Sequence, residues 1–282
     1  MSVTRRTFLG ATAAAAAASA IPMASAQGKK IPVGLELYSV RSALAADPMG
    51  TVKKVAAMGY QVVEFFSPYY RWTPDQAKDM RKLLDDLGIQ CRSTHNDASN
   101  FKAENLQKAI DLNHTIGATF MVMASSIRST NPDDWKKLAL ETLAPALDTL
   151  RKAGLRGGYH NHQYEFVSTN GGPRPIEVLA ANTPRDFMLQ FDVGTCVEMG
   201  SDPVAWINAN PGRINSLHLK DWNKEKGYRV LFGEGAVPWK EVLGAAIKTG
   251  GAEYFLIEQE GSDYSEFETA QRCLDSYHKM MG

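Results

Sequence analysis

The chain has 282 residues, with 31 basic against 31 acidic side chains and 44% hydrophobic residues. That balance holds no surplus of positive charge for nucleic acid or an anionic membrane. Three cysteines, Cys91, Cys196 and Cys273, form no close pair, which argues against a zinc knuckle, and their odd number leaves at least one free thiol.

In chain order, the first 26 residues read as a cleavable signal peptide. Arg5-Arg6 precedes Phe8-Leu9, an alanine-rich run extends over Ala11 to Ala20, and Ala24-Ser25-Ala26 supplies a small-x-small cleavage site. The paired arginines point to twin-arginine export and a periplasmic address, and the apolar run is too short to span a bilayer. Removing these residues takes away Arg5 and Arg6 and no acid, leaving 29 basic and 31 acidic residues. Residues 27–30 read as a tether.

From residue 31 onward short apolar runs alternate with longer amphipathic ones. Strands are expected at Val33–Tyr38, Val62–Phe65, Ile89–Thr94, Thr119–Ala124, Arg156–Asn161, Phe187–Asp192, Ile214–Leu219 and Tyr254–Glu258. Helices are expected at Pro48–Met58, Pro74–Leu87, Ala103–Ile116, Pro132–Ala153, Pro175–Ala181, Pro203–Ala209, Trp239–Lys248 and Ser265–Met280. Asp47-Pro48, Thr73-Pro74, Asn131-Pro132 and Asp202-Pro203 each set a capping side chain before a first-turn proline. The most loop-like stretch is Ser168–Pro175. Eight β-then-α units imply one α/β domain over residues 31–282, a single (β/α)8 TIM barrel. The rival open sheet carries a glycine-rich turn after its first strand, and Leu37–Arg41 has none.

Polar residues are costly inside a barrel strand unless they act at the C-terminal mouth. Here they gather at four successive strand ends: Tyr159-His160-Asn161-His162, Gln190-Phe191-Asp192, His218-Leu219-Lys220-Asp221 and Glu258-Gln259-Glu260. Taken singly, a histidine near a strand end is more often core, Asp192 reads as a cap, and Glu258 as the partner of Lys220. Four in a row point to a site for a divalent metal, and a mixed nitrogen and oxygen set suits Mn, Co, Mg, Fe or Zn. His95 ends the third strand, and Glu36 and Glu64 end the first two, where either acid could pair with Arg41 or Arg71. Tyr38, Phe66, Tyr69, Tyr70, Trp72 and Trp222 could serve as sugar-stacking platforms, although most aromatics simply pack.

These runs, with Glu165-Phe166, Gly233-Glu234-Gly235, Trp239 and the opening Gly34–Arg41, resemble the sugar phosphate isomerase/epimerase group of xylose-isomerase-like barrels. The resemblance covers residues 31–282. It implies one divalent metal held by His160 or His162 with Asp192, His218 and Glu258. In such a site Glu258, Glu64 or Glu234 would take the proton, Lys220 would offset developing negative charge and Asp221 would orient a ligand from behind, while His95 either touches substrate or caps a loop. Members of the group commonly carry a glutamate on the fifth strand, where this chain has His160. The reaction implied is isomerisation or epimerisation of a sugar or keto-sugar through an enediolate. The alternatives are elimination from keto-glycosides and a non-catalytic sugar-binding role. The expected partner is a small carbohydrate, with no nucleic acid and no membrane span after signal removal; a homo-oligomer is left open.

Overall fold

The structure, a computed structural model, describes residues 30–168 and 171–282. The expected signal peptide, most of the tether, and Thr169 and Asn170 of the Ser168–Pro175 loop lie outside the described residues. Among those described, eight strands pair in parallel and in chain order: β1 (Val33–Glu36), β2 (Val62–Phe65), β3 (Gln90–Asp97), β4 (Phe120–Ser125), β5 (Arg156–His160), β6 (Met188–Asp192), β7 (Ser216–Leu219) and β8 (Tyr254–Ile257). β8 pairs with β1 and closes the barrel.

The period of two along each strand sorts the side chains into two layers. Leu35, Tyr159, Leu189, Phe191, Leu217, Leu219, Phe255 and Ile257 belong to the large core between strands and helices. Val62, Phe120, Val122, Met188, Tyr254 and Leu256 form a separate cluster that fills the barrel. One further step along the strands carries Glu36, Glu64, His95, His160, Gln190, Asp192, His218 and Glu258 onto the inner face above that cluster. All eight are buried. The barrel interior is thus an apolar plug with a polar layer on top.

The expected caps form. Asp47 accepts the Gly50 N–H, Asn131 that of Asp133, and Asp202 those of Val204 and Ala205. Thr73 and Gln76 make a reciprocal capping box. Gly88 and Gly117 end their helices at φ 66° and 80°, a left-handed conformation that side chains resist.

Four differences from the sequence expectation matter for the site. β1 stops at Glu36, whose carboxylate accepts the Tyr38 N–H, and the chain tightens into a 3-10 turn over Leu37–Val40. β3 runs on to Asp97, so His95 sits inside a strand. β5 stops at His160, which leaves His162 in the loop beyond. A helix unforeseen from sequence, Val193–Glu198, starts directly on the tip of β6. The helix expected over Pro132–Ala153 is broken by a wider turn at Leu138–Leu143, next to Pro145, which has no N–H to give one turn back. All three cysteines are buried and unpaired. Among the described residues no helix is long and apolar enough to cross a membrane.

Candidate metal and acid-base site

Parallel strands bring their C-terminal tips to one end, and here the tips carry donor atoms. One nitrogen of His160 and one oxygen each of Asp192 and Glu258 lie within 4.8 Å of one another. Each residue is held from its own element. Asp192 caps the helix that follows it, with Oδ1 accepting the Thr195 N–H at 3.0 Å. Its Oδ2 is buried without a hydrogen bond and lies 3.4 Å from Lys220 Nζ. His160 Nδ1 is likewise buried without a partner. Burial, with His218, His95, His162 and Lys220 close by, pushes the His160 imidazole well below its ordinary pKa. The ring is therefore neutral, with a proton on one nitrogen and a lone pair to offer from the other. Orphaned buried acceptors cost about 1–3 kcal/mol each, and two of them facing a third donor fit a divalent cation. Sequence reasoning set Asp192 as a ligand against Asp192 as a cap; Oδ1 makes the cap and Oδ2 is left without a hydrogen bond.

Asn161 was not foreseen as a contributor. Its Oδ1 accepts the Asp192 N–H at 3.1 Å and its Nδ2 donates to Thr195 Oγ1 at 2.8 Å, so the tip of β5 locks the tip of β6. The only sequence sign was its place between two histidines on the opposite phase of the strand.

His218 lies between two acids. Its Nδ1 is 2.5 Å from Glu258 Oε2 and its Nε2 is 2.9 Å from Glu64 Oε2. Burial would lower this imidazole, but Glu258 and Glu64 overturn that and push it up to about 9. Glu64 also lies 3.1 Å from His95 Nε2 and accepts from Gln190 Nε2 at 2.8 Å. Burial alone would raise Glu64; His95 and His218 hold it well below the usual carboxylate range instead. Gln190 in turn lies 2.7 Å from His95. The partners of Glu64 are therefore histidines from β3 and β7 and the Gln190 amide from β6. Arg41, one of the arginines expected to pair with Glu36 or Glu64, donates to the carbonyls of Tyr38 and Glu260.

Among the described residues Lys220 is the one lysine in this layer, with its side chain 4% exposed. Three carboxylates surround it: Asp192 at 3.4 Å, Glu258 at 3.5 Å, and Glu260 in direct contact. Burial works against the ammonium, yet Glu258, Asp192 and Glu260 hold it well above the usual lysine range. Glu258 is correspondingly held well below its ordinary value, with Lys220 and His218 outweighing its burial. The Tyr228 ring lies over Lys220 at 4.7 Å, and its hydroxyl contacts Glu198, at the end of the helix after β6, and Gln163 in the loop after β5.

Other expected residues are not brought into this group. His162 stacks on Tyr164 at the rim, and its Nδ1 is 3.9 Å from Glu165. The buried Glu165 carboxylate takes the Tyr159 hydroxyl and the His162 N–H, which accounts for the Tyr159 to Glu165 motif as a loop clamp. Glu234 is exposed and accepts the Leu231 N–H. Asp221, expected behind a ligand, instead organises the loop after β7. It accepts N–H bonds from Trp222, Gly233, Gly235 and Val237 and from the Trp239 indole. A Cβ at Gly235 would come 2.1 Å from its Oδ1, so the glycine-rich motif is the imprint of that carboxylate. Tyr69 is no stacking platform: it is buried, with its hydroxyl bonded to Asn96, Thr94 and Asn113. Tyr38, exposed, and Phe66, half-buried, do meet edge to face beside the ends of β1 and β2.

Comparison with known proteins relates the chain to one family of barrels. The profile described as "Xylose isomerase-like TIM barrel" matches residues 52–277. An inosose dehydratase from Clostridium beijerinckii is 26% identical over 194 residues, covering 60% of this chain and 62% of that protein, so less than two thirds of the relative's length is spanned. A sugar phosphate isomerase/epimerase from Parabacteroides distasonis superposes with a TM-score of 0.73 at 27% identity, over 89% of this chain and 94% of that one. The IOLI protein, solved with a bound zinc atom, superposes at 0.70 over 88% and 97% of the two chains; at 15% identity that likeness shows the fold alone.

Proposed function

The chain belongs to the xylose isomerase-like TIM barrel family, and from its mouth we propose a divalent-metal-dependent enzyme that removes a proton beside the carbonyl of a keto-sugar and then expels a neighbouring substituent. The observation that carries this reading is the convergence of His160, Asp192 and Glu258, with an imidazole and not a second carboxylate on β5. His160, Asp192 and Glu258 would hold the cation, with His218 beside them bonded to Glu258. When bound, the metal supplies Lewis acidity to the substrate's carbonyl and an adjacent hydroxyl. Glu258, kept ionised by Lys220 and His218, takes the proton. Lys220, protonated and desolvated, faces the negative charge that develops as the carbon acid gives up that proton. Asn161 and Gln190 keep Asp192 and Glu64 in place, and Tyr228 shields Lys220 from water.

Two carboxylates, one on each face of the reacting carbon, suit two-base epimerisation better than one carboxylate and an imidazole. The β5 position that would face Glu258 is a neutral histidine, which favours a lyase or dehydratase. The curated inosose dehydratase relative supports the same direction. Isomerisation or epimerisation stands as the second reading. It is supported by Glu64, a further ionised carboxylate on β2, and by the 27% identical Parabacteroides protein. An exported protein meets glycosides arriving from outside, so the expected twin-arginine signal and periplasmic address suit a keto-glycoside substrate.

Mass analysis of products decides between them. An eliminating enzyme releases the substituent and an unsaturated sugar, whereas an isomer of unchanged mass would establish the second reading. A tight ligand with no turnover at any loaded metal would overturn both.

A further inference from the structure

Two aromatic rings at the rim of the mouth have no place in that scheme. Strands closed in chain order set β1 and β2 across the barrel from β5 and β6, hence across from His160 and Asp192. Beyond the tip of β2 the chain stays extended at Phe66, with φ −111° and ψ 178°, so this side chain keeps the inward phase of Glu64 two residues earlier. It meets the Tyr38 ring with 5.2 Å between centroids and 84° between planes. Tyr38 follows β1 and is 38% exposed, and its N–H is bonded to Glu36, so the ring is rooted in the polar layer itself. Both rings are held still. Arg41 lies over Tyr38 at 4.7 Å and is fixed to the carbonyls of Tyr38 and Glu260. Ser67, next to Phe66, donates to Asp97 at 3.2 Å, and the buried Tyr69 hydroxyl is bonded to Asn96, Thr94 and Asn113.

We infer that Tyr38 and Phe66 form an aglycone subsite, which takes a flat, apolar aromatic group carried by the sugar, so that the substrate class is an aryl or arylalkyl keto-glycoside and not a free sugar. Two rings at right angles make a corner. A flat ring stacked on one of them presents its edge to the other, and offset-stacked and edge-to-face contacts are the favoured aromatic arrangements. A sugar held at the tips of β5, β6 and β8 leaves the β1 and β2 rim for whatever it carries. A second sugar ring there would need hydrogen-bonding partners for its hydroxyls. The polar side chains that border the pair, Arg41 and Ser67, are already bonded to protein atoms. What they leave is a rigid apolar surface, which binds a flat group at little cost in ordering. The inference rests on the keto-glycoside reading above and adds to it the nature of the attached group.

The test gives metal-loaded wild type, Tyr38→Ala, Phe66→Ala and Tyr38→Phe three substrates: ethyl and benzyl 3-keto-β-glucosides, and cellobiose oxidised at C3 of its non-reducing ring. Ethanol and benzyl alcohol are of similar acidity, so the bond that breaks is matched and the difference reports binding. Wild type should favour benzyl over ethyl by about 10-fold or more in kcat/KM, and benzyl over the disaccharide. Either alanine variant should bring the benzyl-to-ethyl ratio to within about threefold of one, and Tyr38→Phe, which keeps the ring, should retain the preference. Losses common to both substrates, from folding or from the metal, cancel in the ratio, and either alanine variant suffices if the other does not fold. A wild-type ratio near one, a ratio that survives both alanine variants or is lost in Tyr38→Phe, or the disaccharide as the best substrate overturns the assignment. If the products are isomers of unchanged mass, elimination fails by itself and the same ratios still decide the subsite. With no turnover at all, calorimetric binding of the three compounds supplies those ratios.

Discussion

The two ends of the barrel handle charge differently. At the floor, Arg156 at the start of β5 meets Glu253 through two 2.9 Å bonds and lies over the Phe120 ring at 3.7 Å. Both side chains are partly open to solvent, each answers the other, and neither is left with an unmet charge. At the mouth, Lys220 is shared among three carboxylates, His218 between two, and buried donor atoms of His160, Asp192 and Glu36 have no hydrogen-bond partner. Stability asks only that buried polar groups be satisfied. A layer that carries unsatisfied ones, on the end of the barrel where strand tips converge, is arranged for something that binds there.

The sharpest way to break this contrast is to remove a donor from the mouth. His160→Ala or Asp192→Ala should lower turnover by about 10³-fold or more, in line with several kcal/mol of transition-state stabilisation. Elemental analysis of the purified variants should show the metal content falling with it. Retained metal and activity in both would dissolve the site. Lys220→Met comes next. It should cost about 10²-fold in kcat with little change in KM, as for a group that meets charge developing in the transition state. A loss confined to KM would make Lys220 a binding residue only.

The third expectation concerns pH. In protein stripped by a chelator, burial would lower His218, but Glu258 and Glu64 push it up to about 9. A folded-state value above the unfolded one stabilises the protein fully at low pH, below about 6.5. That contribution is lost as pH rises through the folded value. The denaturation midpoint should therefore fall between pH 6.5 and 9, by on the order of 3 kcal/mol, and His218→Gln should flatten the slope. A midpoint independent of pH over that window would show that the two acids do not hold a proton on His218. The smallest effect belongs to the floor. Arg156→Met should cost at most about 1 kcal/mol of stability and leave kcat/KM within about twofold of wild type. A large activity loss there would erase the distinction between the two ends.

Much of this protein is legible along the chain because the relevant physics is local. The capping residues Asp47, Thr73, Asn131 and Asp202 bond to N–H groups two or three positions away, so their pattern announces the helices directly. Strand periodicity assigns His160, Asp192, His218 and Glu258 to an inner face before any fold is known. Where reading went astray, the deciding partner was distant or the signal had two meanings. Asp221 resembles a site residue because it follows Lys220, yet its carboxylate is spent on a loop 12 to 18 positions further on. Glu234 sits in a motif that exists to satisfy Asp221, and it gains the appearance of function by proximity. His162 shares the strand phase of His160, but β5 ends before reaching it.

The sequence alone determined the alternation of strands and helices, the closed barrel that follows from eight such units, and the four strand tips at which polar groups gather. Only the tertiary structure decided how those groups share their charges. His218 joins Glu64 across 154 positions and Glu258 across 40, and Glu36 is flanked by two acids from neighbouring strands. Such pairings depend on barrel closure and strand register, which set through-space distances of a few ångströms that no local spacing encodes. Proton affinity follows those distances, and so the division of the mouth into bases, acids and ligands is a property of the folded chain.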